Sequence, residues 1–171
     1  MRLSTLSHLA LAVFIASLTV SCSNYATFDQ YQYVENGNWA KEQNYYFTFE
    51  IKDASVPYNV SVNIRNNNMY PFQNLWLFID DEQPFGPLLR DTIECMLAND
   101  YGKWLGKGVS IYETSFLIKK AYYFPIEGEY TFSLRQGMRA KSIPGIEEVG
   151  LRVEKHNGFT EPSAVRQTAG I

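Results

Sequence analysis

Apolar and polar residues alternate with period two along most of the chain, the pattern of strands that bury one face and expose the other. Val60, Val62 and Ile64 alternate with Asn59, Ser61, Asn63 and Arg65, and Tyr45, Phe47, Phe49 and Ile51 do the same earlier. Ile93/Cys95/Leu97, Tyr130/Phe132/Leu134 and Val149/Leu151/Val153 continue it. Leu75 to Ile79 is apolar at every position, which predicts a central strand covered on both faces. Lys119-Lys120 interrupts the run from Phe116 to Phe124, the mark of an edge strand or a bulge guarded by charge. Turn signals separate the runs at Asn66-Asn67-Asn68, Asp80-Asp81, Pro84 to Pro87, Asn99 to Gly102, Glu127-Gly128 and Pro144-Gly145. No stretch has a helical period, so the chain is predicted all-β: a single antiparallel β-sandwich of about seven to eight strands. Its span is residues 43–155. Residues 156–171 lack any period and read as a disordered tail. Residues 22–42 read as a tether with aromatic footholds, or as an eighth strand at Asp29-Gln-Tyr-Gln-Tyr33.

The amino-terminal segment follows a different rule. Leu9 to Leu18 is apolar and preceded by Arg2, too short for a hydrocarbon core of about 30 Å but suited to the middle of a signal peptide. It closes on Leu18-Thr19-Val20-Ser21-Cys22, which resembles the lipobox of bacterial lipoproteins. On that reading residues 1–21 are removed and Cys22, thioether-linked to diacylglycerol, becomes the amino terminus; the alternative is an ordinary signal peptide with a chance cysteine. A second acyl chain makes such anchoring stable, so a membrane is the first predicted partner.

Cleavage removes Arg2 and no acid, leaving 14 basic and 18 acidic groups and a formal charge of −4. With no basic run or stripe, nucleic acid is excluded as a partner. Once Cys22 is acylated, Cys95 has no cysteine to pair with, and its place beside Ile93 and Leu97 predicts a buried, inert thiol.

Catalytic chemistry finds little footing. The mature chain holds one histidine, His156, at the edge of the patterned region, which argues against Ser-His, Cys-His and histidine-rich zinc sites. Gly102-Lys-Trp-Leu-Gly106-Lys107-Gly108 lacks the spacing of a phosphate-binding loop. Glu147-Glu148, Asp80-Asp81-Glu82 and Asp100 could supply a glycosidase pair but read as solvated surface. No metal, no cofactor and no enzymatic activity are predicted. Trp39, Trp76 and Trp104 raise carbohydrate stacking as an alternative, although most aromatics occupy inward positions. Trp104 stands apart: with Asp100, Lys103 and Lys107 in a glycine-rich loop, it reads either as a binding anchor or as a cover over one end of the sandwich.

Several blocks together resemble one family. They are Asn38-Trp39, Pro57 to Leu77, Asp91 to Gly108, Gln136-Gly-Met-Arg139 and Gly145 to Lys155, and with the lipobox they are similar to the gliding-motility lipoprotein GldH family of Bacteroidetes. The resemblance implies a cell-envelope lipoprotein that supports an assembly, with no catalytic residues to carry over and another envelope protein as partner. Ser23-Asn-Tyr-Ala-Thr27 lacks the acidic cluster that directs surface export in that phylum, which points to the periplasmic leaflet of the outer membrane.

Overall fold

The computed structural model describes residues 26–156. Cys22, the signal segment and the tail beyond His156 lie outside the described residues. In chain order the strands are β1 (Ala26–Tyr33), β2 (Asn38–Ala40), β3 (Asn44–Ile51), β4 (Tyr58–Asn67), β5 (Asn74–Glu82), β6 (Leu89–Met96), β7 (Lys107–Gly108), β8 (Ile111–Tyr122), β9 (Gly128–Gln136), β10 (Ser142–Pro144) and β11 (Ile146–Lys155). One 3-10 turn, Glu35–Gly37, follows β1. One sheet has the order β1-β11-β4-β8-β7, the other β3-β9-β5-β6, and β10 pairs with β2; every pairing is antiparallel.

The inner faces carry the alternating residues: Phe47, Val62, Leu77, Phe132, Leu134, Val149 and Leu151 are all buried. Among the described residues eleven strands form where the alternation predicts seven or eight. The excess arises because β2, β7 and β10 are only two or three residues long, too short to display a period.

Two expectations need correction. Residues 26–42 are not a tether, since β1 pairs along β11 from Ala26 opposite Glu154 to Tyr33 opposite Glu148. Phe28 fixes it by packing on Phe49 at a ring separation of 5.4 Å. Leu75 to Ile79 does occupy an inner strand, between β9 and β6. Its outer side chains are not buried, however: Trp76 is exposed and Phe78 half-buried beneath Arg135, because nothing packs over that face of an antiparallel sheet. The strand covered on both faces is β4, whose Asn59, Ser61 and Asn63 are buried despite their polarity. Tyr31 lies over neighbouring Gly150, where a Cβ would meet its ring at 2.7 Å, and Arg65 lies 4.0 Å from the ring centroid. The Lys119-Lys120 interruption coincides with register shifts between β8 and β4 at Lys119 and Leu117, so it is a bulge.

The register also fixes two distinct ends. One gathers Ala26, the start of β4 and the ends of β8 and β11, since Tyr58 lies opposite both Lys155 and Tyr122. The loops 52–57, 83–88 and 123–127 belong to it. The other end, roughly 25 Å away along β1, holds the Glu35–Gly37 turn and the loops 68–73 and 97–106.

Candidate functional site

Asp100, Lys103, Trp104 and Lys107 come together at the end of the sandwich far from Ala26. The loop that carries them folds on Asn99, whose Oδ1 accepts from the backbone N–H groups of Tyr101 (3.1 Å) and Lys103 (3.0 Å). Gly102 closes the turn at φ +76°, a conformation that favours glycine. Backbone bonds from Asn99 to Lys103 and from Leu105 to Leu97 make the segment a small hairpin. Gln73 ties it to the neighbouring loop, accepting from Leu97 and Ala98 through its carbonyl and donating to the Asn99 carbonyl at 3.1 Å. The site is therefore a pinned projection.

Within that projection the four residues divide. Trp104 is half-buried; its Nε1–H donates to Asn68 Oδ1 at 2.8 Å, and its ring sits 5.9 Å from Tyr112 and 6.4 Å from Tyr70. The indole thus packs against the body while its charged neighbours face out. Asp100, Lys103 and Lys107 are exposed, and none of them forms an ion pair among the described residues. Lys107 borders a cleft of about 340 Å³ together with Tyr33, Arg65, Ile111, Glu113 and Glu147. Arg65 binds Glu113 Oε2 at 2.6 Å and also bonds Glu148, while Asn67 bonds Glu147.

The residues that sequence reasoning missed are apolar. Tyr101 is 94% exposed, Val109 88%, Tyr33 82% and Met69 70%, all at this end. Tyr101 alone had a legible signal, a large aromatic at the tip of an Asn-Asp-Tyr-Gly turn. Burial pushes the Cys95 thiol well above its ordinary value, in keeping with an inert cysteine. The carboxylates weighed for glycosidase chemistry are dispersed, with Asp80 against Arg90, Asp81 against Lys119 and Glu147 against Asn67.

The family model for the GldH lipoprotein matches residues 26–153. The chain belongs to the GldH lipoprotein family. The Gliding motility lipoprotein GldH of Flavobacterium johnsoniae is 35% identical over 148 residues, covering 82% of this chain and 91% of that relative. A Gliding motility lipoprotein GldH homolog of Christiangramia forsetii is 32% identical over 158 residues, covering 85% and 96% respectively. A structure of the infectious bursal disease virus Gx strain aligns with 82% of this chain and 35% of that chain at a TM-score of 0.31 and 12% identity, a likeness from which nothing follows. Family membership makes the chain a lipid-anchored protein of the cell envelope.

Proposed function

We propose that this lipoprotein is a non-enzymatic binding or scaffold component of an envelope assembly. It is anchored through Cys22 to the periplasmic leaflet of the outer membrane and docks another envelope protein with the end that carries Asp100, Lys103, Trp104 and Lys107. The observation behind this reading is the pairing of opposites at one end of the sandwich: exposed Tyr101, Val109 and Met69 share it with three charges that have no ion-pair partners among the described residues. Exposed apolar residues rimmed by free charge are the composition of a protein contact, and a rigid scaffold lowers the entropy lost on docking. Because β1 begins at the opposite end, the projection points away from the anchor. Affinity purification of the tagged lipoprotein from gently solubilised envelopes tests the reading. Failure to recover any partner above an untagged control overturns it.

Carbohydrate binding remains a second reading, moved from Trp104 to the outer face of the four-stranded sheet. Trp76 and Phe78 face outward there, and Phe78, Asp80, Arg90, Thr92 and Arg135 surround a cleft of about 470 Å³. Aromatic faces flanked by hydrogen-bonding side chains suit a sugar ring. Retention on insoluble polysaccharide that is lost in Trp76→Ala would displace the docking reading.

A further inference from the structure

We infer that the end of the sandwich holding Ala26 seats directly on the bilayer, with Phe85, Leu88, Tyr123 and Ile126 as its membrane contacts. This rests on the anchoring of Cys22 proposed above. Three residues separate Cys22 from Ala26, and the four Cα–Cα steps between them reach at most about 14 Å, so the acyl chains hold this end against the headgroup layer. The side chains it presents suit that place. Phe85 is 82% exposed, Tyr123 59%, Leu88 46% and Ile126 37%, on two of the three loops at this end. For a water-facing tip such exposure is costly; at a bilayer surface apolar side chains enter the acyl boundary, and tyrosine suits the interface.

These loops are held rigidly. Tyr130 Oη donates to the Ile126 carbonyl at 2.9 Å, and Phe124, two residues before it, packs on Tyr130 at a ring separation of 4.6 Å. Gly128 lies so close to Pro84 that a Cβ would approach its Cγ to 2.9 Å, which locks the loop carrying Phe85 onto the start of β9. The adjoining loop is fastened as well, through Tyr58 Oη to the Asp53 carbonyl at 3.0 Å. Lys52 pairs with Glu50 at 3.6 Å and Lys155 with Asp53 at 3.7 Å, while Glu82, Glu127, Glu129 and Lys120 are exposed without ion-pair partners among the described residues, a balance too acidic to be drawn to anionic headgroups. Contact with lipid is therefore apolar rather than electrostatic, and salt should not release it. Seating this end also fixes the orientation of the loop at Tyr101, on the side facing away from the bilayer.

The test uses the full-length acylated protein reconstituted into phosphatidylethanolamine/phosphatidylglycerol vesicles that carry doxyl-labelled lipid. A fluorophore is placed by Phe85→Cys or Ile126→Cys, with Tyr101→Cys as the distal control; Cys95 is buried and Cys22 is consumed by its thioether, so label goes to the introduced thiol. Quenching several-fold stronger at positions 85 and 126 than at 101, and unchanged by added salt, is the expected result. Protein that floats with the vesicles while all three probes respond alike overturns the seat and leaves the anchor standing. Protein that does not float overturns both.

Discussion

Lys119 Nζ lies 3.1 Å from Asp81 Oδ2 and so links β8 of one sheet to β5 of the other. Asp81 is buried, and Lys119 also rests 4.4 Å from the Tyr122 ring centroid. Burial outweighs the attraction of Lys119 and holds the Asp81 carboxyl above its ordinary value. For an acid raised in the folded state, the stability it contributes is complete below its unfolded pKa and lost as pH rises through the folded one. Asp81→Asn should therefore flatten that loss and leave the domain no less stable at neutral pH. Lys119→Met, which strands the buried carboxylate, should cost about 3 kcal/mol, while Asp81→Leu with Lys119→Met should fall close to the parent. Urea unfolding of the three variants at neutral and acid pH checks this; a Lys119→Met curve that overlays the parent would mean the pair contributes nothing.

Gly150 sits beneath Tyr31, and a methyl there would overlap the ring at 2.7 Å. Gly150→Ala should cost about 1–3 kcal/mol, the usual range for overpacking. The loss should be local. Because Tyr31 belongs to the edge strand β1, limited proteolysis should open residues 26–33 before the rest of the domain, and equal protection throughout would show that the ring moves aside freely.

How far the sequence could be read depended on the length of each element. The alternation of Val60, Val62 and Ile64 or of Tyr45 to Ile51 repeats a period several times, so the buried face was legible. β7 spans two residues and owes its existence to Gly108, where a Cβ would fall 1.8 Å from the Ile111 carbonyl oxygen; no periodicity signals such a contact. Burial of Asn59 and Asn63 was hidden for a related reason. The groups that meet the outer face of β4 lie distant in sequence: the Ala121 backbone N–H and His156 reach Asn59 at 3.0 and 3.2 Å, and Tyr31 lies over Gly150, the neighbour of Asn63 on β11. At the candidate site the charged residues were visible because they cluster in one loop. Met69 and Tyr33 join them only through the fold, which brings loop 68–73 and the end of β1 to the same place.

Leu151 and Val62 lie opposite each other on β11 and β4, and both are fully buried. Leu151→Ala should destabilise by about 2–5 kcal/mol, the range set by lost burial plus the cavity left behind. A thermal melt reports it, and an unchanged midpoint would mean the neighbouring strands collapse without cost.

The docking reading is tested by separating charge from packing in one loop. Lys103 and Lys107 are exposed, so Lys103→Glu with Lys107→Glu should change stability by less than about 0.5 kcal/mol. It should nevertheless abolish partner recovery, because reversing rim charge turns attraction into repulsion. Trp104 behaves differently. Its half-buried indole and the bond to Asn68 at 2.8 Å make it the peg of the hairpin, so Trp104→Ala should cost about 2 kcal/mol, less than a fully buried tryptophan. Partner recovery should fall too, since the hairpin loses its fixed pose, and Asn68→Ala should produce a weaker version of both effects. Tyr101→Ser separates apolar contact from charge: being 94% exposed, it should leave the melt unchanged while weakening recovery. Recovery that survives the double charge reversal would place the docking surface elsewhere, and a hairpin that tolerates Trp104→Ala without thermal loss would release the indole to serve as the anchor itself.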